Sequence, residues 1–381
     1  MQKKIKVLHI IPSIIKGGAE KMVVDLANIS VKKNCKINLL IGNKSNEILL
    51  SNKIHTKIKT KYIFSKSVNK FKLYFFSLIW VFKNFKWILR HDIIHLHLTY
   101  SSVLGSFIYL LKYFNNREKT FIVETYHAVG MKISPLMRFI HRMNFKLRNS
   151  IVFVAKDQYW NNFIKKNNLI KNIHIIPNGI SNPKKLSQKR IQKYLSKIGM
   201  PKYVDTIIGN IGQFRPDRNP IKIASIFISV LKKSPKNIGA VMCGSGSELK
   251  KIRQLVKLNK LSDRFILPGE IENPQLIIPS ISIYLAINVG SITGIAAIEA
   301  AFNRIPILAL QFDKKFKFID NWIWSSPSLD SIHKKIIYYL QNQRKLKFIA
   351  INQYNFAIKN LSDKLMYDKY FKLYKNLLKS K

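Results

Sequence analysis

Cysteine is nearly missing from this chain. Cys35 and Cys243 stand alone in opposite halves, and neither forms part of a metal-ligand spacing. Both are expected to pack as small apolar residues in a reducing compartment. Long apolar runs are also missing. Apolar runs such as Leu98 to Leu111 fall short of the ~18 residues a membrane-spanning helix needs. The N-terminus opens with Lys3, Lys4 and Lys6 before an apolar stretch. Pro12 interrupts that stretch, and Lys16 and Glu20 bracket the small residues after it, so a β-strand is read there and not a signal peptide. Acidic residues are scarce: 19 Asp and Glu face 66 Lys and Arg, for a formal net charge of +47. Residues 1–180 hold 31 basic and 7 acidic residues, or +24; residues 181–381 hold 35 and 12, or +23. The excess is spread over both halves and is not a basic tail. It implies a polyanionic neighbour, an anionic membrane face or nucleic acid, or else a chain-wide bias toward Lys, Ile and Asn.

A length of 381 residues with 47% hydrophobic content suits two domains with sizeable cores. Short apolar runs bounded by turns recur and read as buried parallel strands. They are Ile5 to Ile11, Ile37 to Ile41, Lys61 to Phe64, Asp92 to His97, Phe121 to His127, Ile151 to Ala155 and Ile173 to Ile176. After Pro177, Asn178 and Gly179, a basic stretch through about 190 reads as a linker. The alternation then restarts with Thr206 to Ile211, Ala240 to Cys243, Phe265 to Leu267, Ile281 to Ile287 and, as the last strand, Pro306 to Leu310. The expected fold is α/β: two Rossmann-like, doubly wound domains at 1–180 and 181–360, facing each other across a ligand cleft, and a terminal segment at 361–381.

The stretch Asn288 to Ala301 (NVGSITGIAAIEAA) carries the sharpest site signal. A strand, a loop with Gly290 and Gly294, and a helix N-terminus form an anion site, and Glu299 in the helix suits vicinal hydroxyls. The alternative is an ordinary strand–helix turn with a solvent-facing Glu299. Gly17 and Gly18 precede a helix but lack the third glycine of a dinucleotide fingerprint. Arg215 and Arg218 stand before a helix expected from Pro220, where their planar forks suit phosphate. His127 and Gly130 follow the C-terminal end of a strand, where ligands bind in open α/β sheets, while His95 and His97 are read as structural. Two stretches suit a membrane interface. Residues 70–90 set Lys72, Lys83, Lys86 and Arg90 on one narrow stripe among aromatics. Residues 131–150 set Arg138, Arg142, Lys146 and Arg148 beside Met131, Leu136, Met137, Phe139 and Phe145. The alternative for each is a core helix with one solvated edge.

In order, KGGAE at 16–20, DIIHLH at 92–97, the strand ending in His127, IIPNGI at 175–180, GQFRPDRN at 212–219, CGSGSE at 243–248, LPGEI at 267–271 and TGIAAIEA at 293–300 resemble the retaining glycosyltransferases of the GT4 family, which have the GT-B fold. The resemblance covers nearly the whole chain. It implies that a nucleotide-sugar donor, UDP- or GDP-linked, binds mainly to the second domain around Gln213, Arg215, Arg218, Gly244, Ser291, Thr293, Gly294, Ile295 and Glu299. Arg218 stands where the family has a diphosphate-binding Lys. Gln213 stands where many members have Arg, and Arg215 is its expected substitute. Glu299 matches the second carboxylate of the E-x7-E motif, which holds ribose hydroxyls. Ser291 stands where the first, which contacts the sugar, should be. Gly17 and Gly18 would approach the donor phosphates, His127 would sit near the transferred sugar, and Leu361 to Lys381 resembles a helix that crosses back onto the first domain.

The implied chemistry is hexosyl or N-acetylhexosaminyl transfer with departure of a nucleoside diphosphate from an anomeric carbon. His127, Arg218 and Glu299 are its expected catalytic residues. Cations and amide dipoles would stabilise the leaving group, so no metal is required, and no Asp-x-Asp site is seen. Front-face attack is expected, since no nucleophilic carboxylate is evident beside His127. The acceptor is expected to be a saccharide, polyprenyl-linked, at the cytoplasmic face of a cell membrane, in bacterial surface polysaccharide assembly. Three rivals remain: an inactive glycosyltransferase-like subunit, a nucleic-acid binder, and another GT-B enzyme such as a sugar epimerase. Nucleic acid is not expected as a partner, because no basic aromatic recognition motif of known kind is present.

Overall fold

The computed structural model describes residues 4–15, 17–33, 35–44, 50–115, 119–127, 135–155, 158–166, 168, 172–271, 273–288, 294–311, 324–326 and 329–380. The chain forms two units: Met1–Ser181 with Ser362–Lys381, and Asn182–Leu361.

Unit 1 runs β1 (Ile5–Ile11), α1 (Gly18–Lys32), β2 (Cys35–Asn43), β3 (Lys59–Phe64), α2 (Lys70–Ile88), β4 (Ile93–His97), α3 (Leu98–Phe114), β5 (Phe121–Tyr126), α4 (Pro135–Lys146), β6 (Ser150–Phe153), α5 (Gln158–Lys166) and β7 (Ile173–Ile175). Its parallel sheet has the order β3-β2-β1-β4-β5-β6-β7. The inner strands are largely apolar because both faces are covered, while β3, at the edge, keeps Lys59 and Lys61 exposed. Val7, Ile11, Ile37, Leu39, Ile93 and Val123 point to one face, under α1. Leu8, Ile10, Leu40, Ile94, Leu96 and Ile122 point to the other, under α2 and α3. The first face is closed by α12 (Asp363–Lys379), whose Met366, Tyr367, Tyr370, Leu373 and Tyr374 form one buried stripe at helical spacing. Gly179 lets this segment return, since a Cβ there would collide with the Ser362 carbonyl. The Asp363 N–H donates to the Ile180 carbonyl at 3.0 Å, so the leaving and returning strands of chain lie side by side.

Unit 2 runs α6 (Gln188–Lys197), β8 (Thr206–Ile211), α7 (Pro220–Lys232), β9 (Ile238–Cys243), α8 (Leu249–Leu258), β10 (Phe265–Gly269), β11 (Ile283–Asn288), α9 (Ile295–Phe302), β12 (Ile307–Gln311), β13 (Trp324–Ser326), α10 (Leu329–Gln341) and α11 (Gln343–Asn360). Its sheet, also parallel, is ordered β10-β9-β8-β11-β12-β13. The sequence reading ended the sheet one strand early. β13 is three residues long and pairs beyond β12, from Leu308↔Trp324 to Leu310↔Ser326. A run that short carries no periodicity to read.

Both cysteines are buried and unpaired, and burial pushes each thiol up to about 12. They are neutral packing groups. No helix among the described residues is long and apolar enough to cross a membrane.

The two helical stretches singled out in the sequence differ in outcome. On α2, Phe71, Phe75, Phe76, Ile79 and Phe82 are exposed, beside exposed Lys72, Lys83 and Lys86, with Arg90 just past the helix end. On α4, Leu136, Phe139 and Met143 are exposed, but two residues assigned to that face turn inward. Phe145 is buried against Trp160 and Tyr126. Arg148, beyond the helix end, is buried in an ion pair with Glu124 at 2.7 Å, and also donates to the Ser102 carbonyl and the Ser106 hydroxyl. A buried acid on β5 recruits it, because an uncompensated charge there would be costly. Met131 lies outside the described residues, as do the side chains of Met137 and Arg138.

Candidate functional site

In open parallel sheets the loops beyond the C-terminal strand ends open a crevice where the connections change direction. Unit 1 changes direction between β1 and β4, and unit 2 between β8 and β11.

At the first point, four histidines share the inward parity of the core positions. His9 lies on β1, His95 and His97 on β4, and His127 follows β5. His9 is opposite His95 in the ladder, and His97 is opposite Thr125. His9 Nδ1 and His97 Nε2 are hydrogen-bonded at 2.9 Å, and His97 Nδ1 and His127 Nε2 at 3.3 Å. His95 turns the other way, to the Tyr374 hydroxyl at 2.6 Å and the Thr125 hydroxyl at 2.7 Å. Thr125 in turn bonds the Tyr370 hydroxyl at 2.8 Å. Burial drives His9 down to about 3, His127 to about 4, and His95 and His97 well below the ordinary value. All four rings are therefore neutral at pH 7. Ring nitrogens of His9, His95 and His97 lie within 4.8 Å of one another. They could gather round a cation only by giving up these bonds, since both His95 nitrogens are engaged.

Gly17 caps α1, and Gly18 is its first residue. The Glu20 carboxylate packs against Gly17, where a Cβ would collide with it. A carboxylate of the chain itself therefore sits at the helix start that the sequence assigns to phosphate. Lys16 and Gly130 lie outside the described residues.

In unit 2, β8 and β11 pair only at Ile283↔Ile208 and Tyr284↔Gly209, then part. Side chains bridge the widening gap. Asn210 Nδ2 donates to the Leu285 carbonyl at 2.8 Å, and the Tyr284 hydroxyl donates to the Ile211 carbonyl at 2.9 Å. The loops after β8 and β9 are zipped together by backbone bonds. The Phe214 N–H donates to Ser245 at 2.8 Å, Glu248 to Phe214 at 2.9 Å, and Gly212 to Cys243 at 3.0 Å. Gly244, at φ +153, permits this, because a Cβ would strike the Gly212 carbonyl.

This brings Gln213, Arg215, Arg218, Gly244, Gly294, Ile295 and Glu299 to the C-terminal ends of three adjacent strands, β9, β8 and β11. Gln213 is exposed. Arg215 precedes and Arg218 ends the short 3-10 turn Pro216–Arg218, and Asn219, in the left-handed region at φ +48, starts α7 with Pro220 at its first position. The two arginines are not unpaired charges. Arg215 holds Asp217 through two bonds, at 3.0 and 2.8 Å, and Arg218 Nε lies 3.6 Å from the same carboxylate. Arg215 keeps the Asp217 carboxyl below its ordinary value. The sequence reading passed over Asp217, although an acid at the second residue after Arg215 and next to Arg218 was visible in RPDR. Gly294 caps α9 with no side-chain cap and no acid in the first turn. Glu299 is only 7% exposed, which rules out the solvent-facing alternative. Burial, and to a smaller degree the neighbouring Glu299 carboxylate, raises the Tyr284 hydroxyl above its ordinary value. Ser291 and Thr293 lie outside the described residues.

Residues 16–182 match the family model Glycosyltransferase Family 4. The whole fold is similar to three solved structures. One is HepE of Anabaena, solved with UDP and glucose, at 16% identity and TM-score 0.75, covering 98% of this chain and 100% of that one. Another is the sucrose-phosphate synthase of Thermosynechococcus elongatus, at 14% and 0.76, covering 99% and 100%. The third is WaaG, a glycosyltransferase involved in lipopolysaccharide biosynthesis, at 12% and 0.69, covering 95% and 98%. No curated protein sequence matches this chain.

Proposed function

We propose, from the premise of a glycosyltransferase of GT-B type with a family 4 domain over residues 16–182, that this protein moves a sugar from a nucleotide-diphosphate sugar to a lipid-linked saccharide, with retention, in bacterial surface polysaccharide synthesis. The observation that carries the donor part is the cluster at β8, β9 and β11: two arginines, an uncapped helix start and a buried carboxylate at adjacent strand ends. A diphosphate leaving an anomeric carbon gathers negative charge. Arg218, Arg215 and the first N–H groups of α9 are the chain's means of holding it. A pyrophosphate would compete with Asp217 for Arg215, at modest cost because that pair is exposed. Glu299 would accept bonds from ribose hydroxyls, with Gly244, Ile295, Ser291 and Thr293 around the nucleotide. In unit 1, His127 would contact a sugar, and Gly17 and Gly18 would offer their backbone to phosphate only once the Glu20 carboxylate is displaced from the start of α1. HepE and WaaG, as described above, support a UDP-linked donor and a polysaccharide setting. No metal has a role in this reading.

The acceptor side rests on α2 and α4, whose exposed phenylalanines, with Lys72, Lys83 and Lys86 on α2, suit the anionic inner face of a cell membrane. Thermal unfolding with UDP, GDP and their sugars, on the natural chain and Glu299→Gln, tests the donor site. One nucleotide class should raise the transition, and the variant should lose that rise. No rise with any nucleotide would remove the reading. Asp217 on Arg215 and Ser291 in place of a carboxylate favour one second reading, a subunit that binds nucleotide without turnover. Transfer or hydrolysis of a nucleotide sugar separates the two.

A further inference from the structure

We propose that His9 and His97 are positioning residues for His127: three imidazoles hydrogen-bonded in line across the adjacent strands β1, β4 and β5 set which nitrogen of His127 carries its proton and leave Nδ1 of that ring to a ligand.

The line is closed at every internal point. Each nitrogen of His97 faces another ring, His9 Nδ1 on one side and His127 Nε2 on the other. A neutral imidazole has one N–H and one lone pair. His97 therefore donates at one end and accepts at the other, and both protons must point the same way along the line.

The two directions differ only at the ends. His9 Nε2 and His127 Nδ1 are buried atoms without a hydrogen-bond partner among the described residues. If the protons point toward His9, that ring carries an N–H with no acceptor deep in the core, since His9 is 0% exposed. If they point toward His127, His9 keeps only a bare lone pair and the unpartnered N–H is instead on His127 Nδ1, in a ring that is partly exposed. Each direction leaves one N–H without a partner, and that N–H is costlier in the closed core at His9 than at the end of the line that water or a ligand can reach. The line therefore runs from His9 to His97 to His127. The Nε2 atom of His127 accepts, and its proton sits on Nδ1, the form less favoured by a free histidine side chain in water.

His95 is not in the line but braces it. Tyr374 and Thr125 take both its nitrogens, and its ring packs 4.1 Å from that of His97, centroid to centroid. His127 is the only member of the line that is not fully buried. A donor fixed on Nδ1 at the end of β5 suits an oxygen acceptor, such as a sugar hydroxyl or phosphate oxygen. That last assignment rests on the glycosyltransferase reading; the tautomer does not.

The test is long-range proton–nitrogen correlation on the full chain with nitrogen-15 histidine at neutral pH, His127 being assigned by the signals lost in His127→Gln. His127 should show a protonated Nδ1 and a pyridine-like Nε2. In His97→Phe, and separately in His9→Phe, its signals should move toward the average of the two tautomers. An Nε2-protonated His127 in the natural chain overturns the proposal, as does a tautomer that survives both substitutions. In a transfer assay with UDP-glucose, His97→Phe should lower kcat by about tenfold or more with donor KM changed by less than about threefold. A rise in KM alone overturns the positioning role. A natural chain that transfers sugar from none of the UDP and GDP sugars overturns the function proposed above and leaves the nitrogen readout to decide the line.

Discussion

Asp217 sets how much positive charge the loop after β8 offers. It neutralises Arg215 through two bonds and leans on Arg218, yet all three side chains are 39–48% exposed. An exposed pair is worth about 0.2–1 kcal/mol. Asp217→Asn should therefore tighten nucleoside diphosphate binding by roughly twofold to fivefold, measured by calorimetry. Unchanged or weaker binding would mean that Arg215 does not meet the diphosphate. Glu299→Gln keeps the shape of a buried side chain and removes its charge. It should weaken nucleotide binding by about tenfold to a hundredfold, the worth of about 1.5–3 kcal/mol for hydrogen bonds to a charged group. The Arg148–Glu124 pair has no part in ligand binding here; it is a structural tie. Arg148→Met strands a buried carboxylate and should cost about 3–5 kcal/mol in urea unfolding, most of it recovered in the double variant with Glu124→Leu. The histidines' inward parity was legible in VLHII, DIIHLH and FIVETYH, because alternate strand residues share a face. Their partners were not, since which rings meet depends on β1, β4 and β5 being neighbours.

The element that most invites a partner is α2. Five large apolar side chains on it are exposed, Phe71 at 76%, and lysines share that surface. An isolated exposed phenylalanine is ordinary; a helix face of them is a docking surface. The triple change of Phe75, Phe76 and Phe82 to Ser should abolish flotation with anionic vesicles while leaving the unfolding temperature nearly unchanged. Each buried Phe is worth about 1.5–3 kcal/mol to the interface. Retained flotation would move the membrane contact elsewhere. The second stretch shows how far helical spacing carries. Leu136 and Phe139 stand out on α4 as spacing predicts, but Phe145 and Arg148 turn inward. Near the end of a helix the side-chain direction is decided by what the neighbouring strand presents, here an acid on β5.

At the scale of the molecule, unit 1 is not contiguous in sequence. Residues 1–181 lack the tyrosines of α12 that cover its first face and hold His95 and Thr125. Expressed alone they should lack a cooperative unfolding transition, and co-expressed 362–381 should restore it. A cooperative 1–181 would make α12 dispensable. The neutral histidines add a pH dependence. Their basicity is depressed in the folded state, to about 3 for His9 and about 4 for His127, so below pH 6.5 the unfolded chain takes up protons that the folded chain refuses. Stability is complete above that pH and is lost as pH falls toward 4, by about 1.4 kcal/mol per pH unit for each such ring. The urea midpoint should fall between pH 7.5 and 5.0, and a flat midpoint would mean that the rings protonate within the fold. Taken alone, the sequence determined the alternation of strands and helices, the two sheets' apolar strands and the glycine-bearing turns, because period and backbone freedom are local properties of the chain. Only the tertiary structure decided strand order, and with it the imidazole line, the zipped loops after β8 and β9, the burial of Glu299 and the return of α12. Those arise from residues far apart in sequence brought together by covering apolar faces, and no local pattern encodes which faces will meet.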